Sequence, residues 1–396
     1  MTWHLGWPPL ATAGQMAQAC GSALTGILLL GIPACANSDS EVALHLYRVH
    51  GLDFIHHLRG EFALVLVDET QQRIVAARDR FGIKPLCYTQ TSDGQMCIAS
   101  EAKAIFAAGA ARPAWDLQAL HAALSLQYTP VDRTVFQGVA QLPPGHMLVW
   151  QDGTVNLSKY WDIGLSPDKD EATSEAEWRE SFFSTLSKAV HLRLDADVPV
   201  CAHLSGGIDS ASIAAIATQH RQAPIDCFTV RFGGIEGYDE YPIAREMAAH
   251  IEARLHTVDV TGDSVADNLS DAVYFSEGIS INSHLVGKYL LNRAIAAAGF
   301  KVALSGEGAD ELLAGYPHLR EDMLDAQDGS DAGVRQALYA GNARLAGVFL
   351  AEGEMLDTKG MTKCIGFTPS FLRAKASLGL RLHALMDDDY VQTMQG

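Results

Sequence analysis

The stretch Leu204-Ser-Gly-Gly-Ile-Asp-Ser210 decides the fold, and it directly follows the apolar run from Val198. Its two glycines let backbone amides approach an anion closely, the hydroxyls of Ser205 and Ser210 add donors, and the helix predicted after them points its positive end at the same place. The carboxylate of Asp209 would repel phosphates unless a divalent cation lies between them. The stretch therefore predicts a phosphate-binding loop with a metal, and the alternative is a tight strand-to-helix turn capped by Asp209. The lysine and the spacing of the mononucleotide P-loop are absent.

Apolar strands alternate with helical stretches around this loop. The predicted strands cover 198–204, 225–232, 255–260 and 301–305, and the predicted helices begin near Ser210, Tyr241, Val265 and His284. Another helix is predicted after the capping box Ser174-Glu-Ala-Glu177, because apolar residues follow it at helical spacing. This alternation indicates a parallel sheet covered on both faces, and ligands of such sheets lie beyond the carboxyl ends of the strands.

A second glycine-rich loop, Ser305-Gly-Glu-Gly-Ala-Asp-Glu311, follows the last of these strands. It places two glycines among three carboxylates, which is electrostatically costly for a turn with only a structural role. Asp310 is predicted to share a cation with Asp209, and Glu307 is predicted to act as a base or to orient a nucleophile. The alternative is an acidic helix N-terminus, where the helix dipole favours Asp and Glu.

The chain before residue 165 has a different pattern. Its predicted strands are short and separated by turn residues, and they cover 62–67, 73–77, 96–99 and 146–151. The first 38 residues contain no Asp, Glu, Lys or Arg, whereas charged residues are frequent from Asp39 onward. With a polar linker at 165–170, the sequence predicts an atypical uncharged segment 1–38, a β-rich domain 39–164 and an α/β domain 172–396.

Charge and cysteine usage restrict the partners and the location. The chain has 396 residues and a net charge of −18, from 29 Lys+Arg against 47 Asp+Glu. Such a surface repels phosphate backbones, so neither nucleic acid nor a membrane is expected as a main partner. The 7 cysteines are odd in number and contain no C-x-x-C pair, which is typical of a reducing compartment and predicts a cytoplasmic protein.

Together the two loops resemble the ATP-pyrophosphatase domain of the asparagine synthetase family. Four stretches of the β-rich domain are similar to that family's glutamine-hydrolysing domain, namely Gly60–Ala63, Ala77–Leu86, Ser100–Lys103 and Leu142–His146. The resemblance implies an α/β fold class. An incomplete glutamine amidotransferase domain of the N-terminal-nucleophile type would be followed by a parallel-sheet ATP-pyrophosphatase domain like the adenine nucleotide α-hydrolases.

The resemblance also implies a set of site residues. ATP would be bound by Leu204, Ser205, Gly206, Gly207, Ile208, Asp209, Ser210, Val230, Ser305 and Gly306. Asp209 and Asp310 would hold Mg²⁺, and Glu307 matches the family's catalytic glutamate. The implied chemistry adenylates a carboxylate, releases pyrophosphate and then uses ammonia to form an amide and AMP, because adenylation replaces a poor leaving group with a good one.

Both ends of the chain depart from the family pattern. The family's glutaminase nucleophile is a cysteine exposed at the N-terminus, whereas position 2 here is Thr. Similarity begins near Asp39, which matches the aspartate that holds the ammonium group of glutamine. We therefore expect no glutamine hydrolysis by this chain, with Thr2 as the one residue that would rescue it. The chain stops at Gly396, before the family's phosphate-contacting lysine, so a truncated synthetase domain is expected.

Three functional hypotheses remain open at this point. The first is an amide ligase that acts on aspartate or another carboxylate, with glutamine or ammonia as the nitrogen donor. The second is an amide-forming cyclase or ligase of a peptide or small-metabolite pathway, which uses the same ATP site with another acceptor pocket. The third is a non-catalytic fragment or subunit that keeps the nucleotide site. A homodimer or a complementing chain is the expected protein partner.

Overall fold

The computed structural model describes residues 2–5, 27–29, 39–164, 173–221, 223–232, 239–279, 282–326, 332–344, 350 and 353–386. The chain divides into two compact units, the first made of Met1–Leu165 with Gly379–Gly396 and the second of Ser166–Leu378. The predicted linker at 165–170 lies outside the described residues. No helix among the described residues combines the length and the apolar character that a membrane crossing requires.

Two β-sheets build the first unit, with strand orders β1-β6-β5-β7 and β2-β3-β4-β8-β9. The strands are β1 Thr2–Leu5, β2 Ile27–Leu29, β3 Ala63–Asp68, β4 Arg73–Arg78, β5 Cys87–Gln90, β6 Met96–Ala99, β7 Ala140–Gln141, β8 His146–Gln151 and β9 Thr154–Lys159. The helices are α1 Asp39–His50, a 3-10 helix Gly51–His57, α2 Ala102–Ala107 and α3 Leu117–Leu126. In the uncharged segment 1–38, for which the sequence gives no strand prediction, β1 pairs with β6 and β2 pairs with β3.

The core of the first unit lies on both faces of β3 and β4. Leu64 and Leu66 pack with Tyr47 of α1, whereas the intervening Val65 packs with residues of the other sheet such as Met96. Successive side chains of a strand point to opposite faces, so a strand covered on both faces reads as a continuous apolar run. This is why Ala63–Asp68 is buried along its whole length.

A turn around a buried carboxylate follows β4. Asp79 is 1% exposed, and its carboxylate accepts hydrogen bonds from the backbone N–H groups of Phe81, Ile83 and Lys84 at 3.1, 3.0 and 2.9 Å. Arg78 donates to the carbonyl oxygens of Lys84 and Leu142 at 2.8 and 2.9 Å. Burial lowers the pKa of Arg78. Hydrogen bonds from Arg78 thus connect the stretches 77–86 and 142–146.

The second unit is built on a parallel sheet with the strand order β12-β11-β10-β13. The strands are β10 Val200–His203, β11 Asp226–Phe232, β12 Arg254–Val260 and β13 Val302–Leu304. The helices are α4 Glu175–Leu194, α5 Ile208–Gln219, α6 Tyr241–His250, α7 Gly262–Ser276, α8 His284–Ala297, α9 Ala309–Leu313, α10 Pro317–Ala326, α11 Ala332–Arg344 and α12 Lys359–Ile365. A further helix, α13 Ser370–His383, begins in the second unit and ends within the residues from Gly379 that belong to the first. The capping box that predicts α4 is present, with Ser174 and Glu177 bonded in both directions.

Helices cover both faces of this sheet, as the sequence predicts. On one face Ala202 of β10 packs with Ala214 of α5 and Ala244 of α6. On the other face the neighbouring Cys201 packs with Leu291 of α8. Because both faces are filled by apolar side chains, polar groups that act on a ligand are left to the strand ends.

Candidate functional site

The two glycine-rich loops meet at the carboxyl edge of the parallel sheet. β10 and β13 are neighbours in register, with Ala202 beside Leu304, so the chain leaves both strands at the same edge. A Cβ added to Gly306 would lie 2.7 Å from the backbone nitrogen of Ser210 and 2.8 Å from Cβ of Asp209. Only glycine permits this approach, because real Cβ atoms do not come so close to backbone. The structure therefore brings Ser305–Gly306 against Asp209–Ser210.

The hydroxyls of the first loop bond within the loop. Oγ of Ser210 accepts from the backbone N–H of Ser205 at 3.0 Å, and the two hydroxyl oxygens lie 2.9 Å apart. Oγ of Ser205 also accepts from the backbone N–H of Gly207 at 3.1 Å. The sequence predicts that these hydroxyls serve as donors to an anion, so an entering phosphate would have to exchange with these internal bonds.

A carboxylate already lies at the first loop. The backbone N–H of Gly206 donates to Oε2 of Glu240 at 3.1 Å, and a Cβ at Gly206 would lie 3.1 Å from Cβ of Glu240. Glu240 directly precedes α6, which follows β11 and begins at the same edge of the sheet. One backbone N–H of the loop thus donates to a carboxylate oxygen, and the binding of phosphate by this loop stays a prediction.

The second loop separates its carboxylates into different surroundings. Oε1 of Glu307 accepts from Nζ of Lys288 at 2.6 Å, and the backbone N–H of Glu307 donates to Oγ of Ser305 at 3.0 Å. Burial is the main cause that raises the pKa of Asp310, and the charges of Asp209 and Glu311 raise it further. The negative charge of Asp209 thus acts on Asp310, but the described residues contain no group of three or more His, Cys, Asp and Glu side chains placed to hold a metal ion. A cation shared by Asp209 and Asp310 therefore stays a prediction.

A tyrosine completes the acidic side of the second loop. The hydroxyl of Tyr316 donates to Oε1 of Glu311 at 3.1 Å. Burial, followed by the charge of Glu311, raises the pKa of Tyr316 to about 12. Tyr316 is thus a neutral donor near neutral pH, and it holds Glu311 to one side of the loop.

The predicted adenosine contacts divide between backbone and side chain. Leu204 is 1% exposed within the core, and its backbone N–H donates to the carbonyl of Phe228 at 2.9 Å, so only its backbone borders the edge. N–H and C=O groups alternate sides along a strand, so those of Val230 face the same way as those of Phe228. β10 ends at His203, and the backbone of Val230 therefore faces the space beside the phosphate loop. Ile208 begins α5 and is 79% exposed.

The two residues predicted for the glutamine half are described by backbone alone. Asp39 begins α1, and Thr2 begins β1 opposite Ala99 of β6. Their side chains lie outside the described part of the structure. The roles of Asp39 and Thr2 therefore stay predictions.

Sequence reasoning missed Glu240, Lys288 and Tyr316. Each lies at or near the start of a helix of the second unit, before α6, in the first turns of α8 and before α10. Helices that follow the strands of a parallel sheet begin at its carboxyl edge, so this position is a usable signal. The sequence did not show which strands are neighbours, and that order decides which helix start lies beside which loop.

Comparisons with known proteins agree with the two-part organisation. The family model described as asparagine synthase matches residues 182–365, and the one described as glutamine amidotransferase domain matches residues 30–161. The amidase chyE of Penicillium rubens is 40% identical over 309 residues, which are 74% of this chain and 45% of that protein. The glutamine-hydrolyzing asparagine synthetase 3 of Bacillus subtilis is 31% identical over 297 residues, which are 71% of this chain and 47% of that protein. This chain thus spans slightly less than half the length of the curated relatives that it matches.

A solved NH3-dependent NAD synthetase from Campylobacter jejuni covers 55% of this chain and 91% of its own, with 15% identity and a TM-score of 0.26, too weak a likeness to carry an argument. The fold class is α/β, with a glutamine amidotransferase domain followed by an asparagine synthase domain that is built on a parallel sheet. The two family models match successive parts of the chain, and a glutamine-hydrolyzing asparagine synthetase is 31% identical to it. The chain therefore belongs to the asparagine synthetase family.

Proposed function

We propose that this chain is an ATP-dependent amide ligase that adenylates a carboxylate and transfers ammonia to it. The observation that carries the proposal is the contact of the two loops, in which Gly306 lies against Asp209 and Ser210 at the carboxyl edge of a parallel sheet. This contact holds the first loop beside the second. In the first loop the N–H of Gly206 binds a carboxylate, and the second loop carries the exposed Glu307. Family membership supports ATP as the nucleotide.

The proposed reaction balances in two steps. A carboxylate oxygen of the acceptor bonds to the α-phosphorus of ATP, and the bond from that phosphorus to the bridging oxygen breaks, releasing pyrophosphate. Ammonia then bonds to the acyl carbon, the C–O bond to AMP breaks, and the nitrogen loses one proton. AMP carries away one of the two original carboxylate oxygens. Glu307 is the proposed acceptor of the proton, because its carboxylate is exposed at the loop.

The other site residues are proposed to hold ATP. Ser205, Gly206, Gly207 and Ser210 would bind the phosphates through N–H groups and hydroxyls, with the N-terminus of α5 pointing at the same place. The backbones of Leu204 and Val230, with Ile208, Ser305 and Gly306, would border the adenosine. Asp209 and Asp310 would hold Mg²⁺. When bound, Mg²⁺ neutralises charge on the phosphates and on the pyrophosphate that leaves.

Aspartate is the proposed acceptor, and another carboxylate is the alternative. Relatives named asparagine synthetase favour aspartate, whereas the relative named amidase chyE has the higher identity, 40% against 31%. That difference is the specific observation in favour of a ligase or cyclase for a peptide or small metabolite. The nitrogen donor that we propose is ammonia, with Asp39 as the glutamine-binding residue of an amidotransferase domain that does not hydrolyse glutamine. A homodimer, a complementing chain and the cytoplasm also remain proposals.

The test measures pyrophosphate release by the full chain with ATP, Mg²⁺ and ammonium chloride, first with aspartate and then with related acids. The chain is expected to release pyrophosphate and form the amide, and Glu307→Gln is expected to bind ATP as before but to form at least 100-fold less amide. Glu354→Gln, an exposed glutamate outside both loops, is the matched control. Absence of pyrophosphate with every acid would support the non-catalytic hypothesis.

A further inference from the structure

Lys288 lies where α8 faces the second loop. Its Nζ is 2.6 Å from Oε1 of Glu307, and both side chains are more than half exposed. The helix beneath it is fixed, because Val286, Leu290 and Leu291 on its other side are buried. The ammonium group therefore extends from a rigid element to a carboxylate on a loop.

The ion pair lies near the end of β10. His203 directly precedes Leu204 there, and its Nε2 is buried without a hydrogen-bond partner among the described residues. Burial is the main cause that lowers the pKa of His203, the charge of Lys288 lowers it further, and the charge of Glu307 raises it. The charges of Lys288 and Glu307 therefore act on the residue that leads into the first loop.

The charges around Glu307 explain why a cation is needed there. Asp310 and Glu311 lie on the same loop as Glu307, and burial and the charges of Asp209, Glu311 and Glu307 all raise the pKa of Asp310. The phosphates of bound ATP would add further negative charge. An unpaired Glu307 carboxylate would turn away from this field into solvent. An exposed ion pair contributes little to the free energy of unfolding. Stabilisation of the fold therefore does not account for the pair between Lys288 and Glu307. Misplacement of a reacting group by about 1 Å, by contrast, costs about a hundredfold in rate.

We propose that Lys288 is a positioning residue that holds the carboxylate of Glu307 toward the reacting atoms. This inference rests on the proposed function for its rate effect, but not for its geometry. Lys288 neither binds ATP nor accepts a proton in this account. It acts through Glu307, and a guanidinium group at the same position would serve the same purpose, since it reaches as far and keeps the charge.

The test compares Lys288→Met and Lys288→Arg with the matched control Arg293→Met. Arg293 is an exposed cation on the same helix, and its guanidinium donates to the side chain of Asn268 and not to Glu307. With ATP, Mg²⁺, aspartate and ammonium chloride, Lys288→Met is expected to lower kcat about 10- to 100-fold with KM for ATP and aspartate within twofold. Lys288→Arg should recover most of kcat, and Arg293→Met should match the unmodified chain. An unchanged kcat in Lys288→Met would overturn the proposal. A raised KM with the same kcat would also overturn it, because Lys288 would then be a substrate-binding residue.

Crystal structures of the unmodified chain and the Lys288 variants give a readout that needs no activity. The carboxylate of Glu307 is expected beside Lys288 in the unmodified chain, displaced or in several conformers in Lys288→Met, and restored in Lys288→Arg. The same Glu307 position in all three proteins would overturn the proposal. A chain that releases no pyrophosphate would remove the proposed function, while the Glu307 positions would still decide whether Lys288 orients it.

Discussion

The backbone N–H of Gly206 donates to Oε2 of Glu240, so a carboxylate lies at the loop that is proposed to bind phosphate. In the proposed function this carboxylate would compete with the phosphates of ATP and repel them. Glu240 is exposed, which leaves it able to turn away when a phosphate arrives.

This arrangement predicts that Glu240→Gln binds MgATP about fivefold more tightly than the unmodified chain. The substitution removes the repulsion between the carboxylate and a phosphate, and two unit charges about 4 Å apart in water interact by about 1 kcal/mol. Isothermal titration calorimetry of the full chain measures the affinity. Glu246→Gln, an exposed glutamate further along α6, is the matched control and should bind as the unmodified chain does. Weaker binding by Glu240→Gln would show that the carboxylate supports the ATP-binding shape instead of competing with phosphate.

Strands and loops of the second unit were predictable because local chemistry sets them. Apolar runs of the right length between helical stretches predict β10, β11, β12 and β13, and the observed strands lie within those runs to within one residue. Glycine pairs after two of them predict the loops. The contact of Gly306 with Asp209 depends on β10 and β13 being neighbours, and that order comes from packing across the sheet, which a pattern along the chain does not record.

The first unit shows the same limit. Its short strands were predicted from residue 62 onward, whereas β1 and β2 lie in a segment without charged residues, where polar and apolar residues do not alternate clearly. The stretch 77–86 was recognised by resemblance. Its structure gives the physical reason for that sequence, because the buried Asp79 carboxylate accepts three backbone N–H groups at once.

Asp79→Ala is therefore predicted to destabilise the first unit by about 3 kcal/mol, because three backbone N–H groups lose a buried, charged acceptor. Urea unfolding followed by tryptophan fluorescence measures the loss. Asp93→Ala, in the exposed turn between β5 and β6, is the control and should change stability by less than about 1 kcal/mol. Equal effects of the two substitutions would mean that the turn at Asp79 does not need its carboxylate.

Across both units, the two halves of the proposed reaction differ in what supports them. The second unit has its loops in contact and a backbone amide bound to a carboxylate. In the glutamine half, position 2 is Thr, whereas the nucleophile of the family's glutaminase is a cysteine. The account therefore predicts amide formation from ammonium and no glutamate release from glutamine. Nucleophilic attack on glutamine needs a nucleophile, a base and donors for the developing charge, and a nucleophile alone keeps little rate.

Glutamate release from glutamine by the full chain and by Thr2→Ala checks this prediction. Both proteins are expected to release none above the buffer blank. Release by the unmodified chain that Thr2→Ala abolishes would contradict the prediction and identify Thr2 as the nucleophile. Equal release by both would also contradict it and would point to another nucleophile.

The central claim is that the loop Leu204–Ser210 binds ATP with Mg²⁺ through Asp209, and titration calorimetry of MgATP into Asp209→Asn tests it most directly. Asp267→Asn, an exposed aspartate on α7, is the matched control. The account predicts that in Mg²⁺ Asp209→Asn binds ATP at least tenfold more weakly than the unmodified chain and the control, with an unchanged circular dichroism spectrum. In EDTA that difference should shrink or reverse, because the carboxylate then only repels the phosphates. Equal affinity of Asp209→Asn and the unmodified chain in Mg²⁺ would contradict the account.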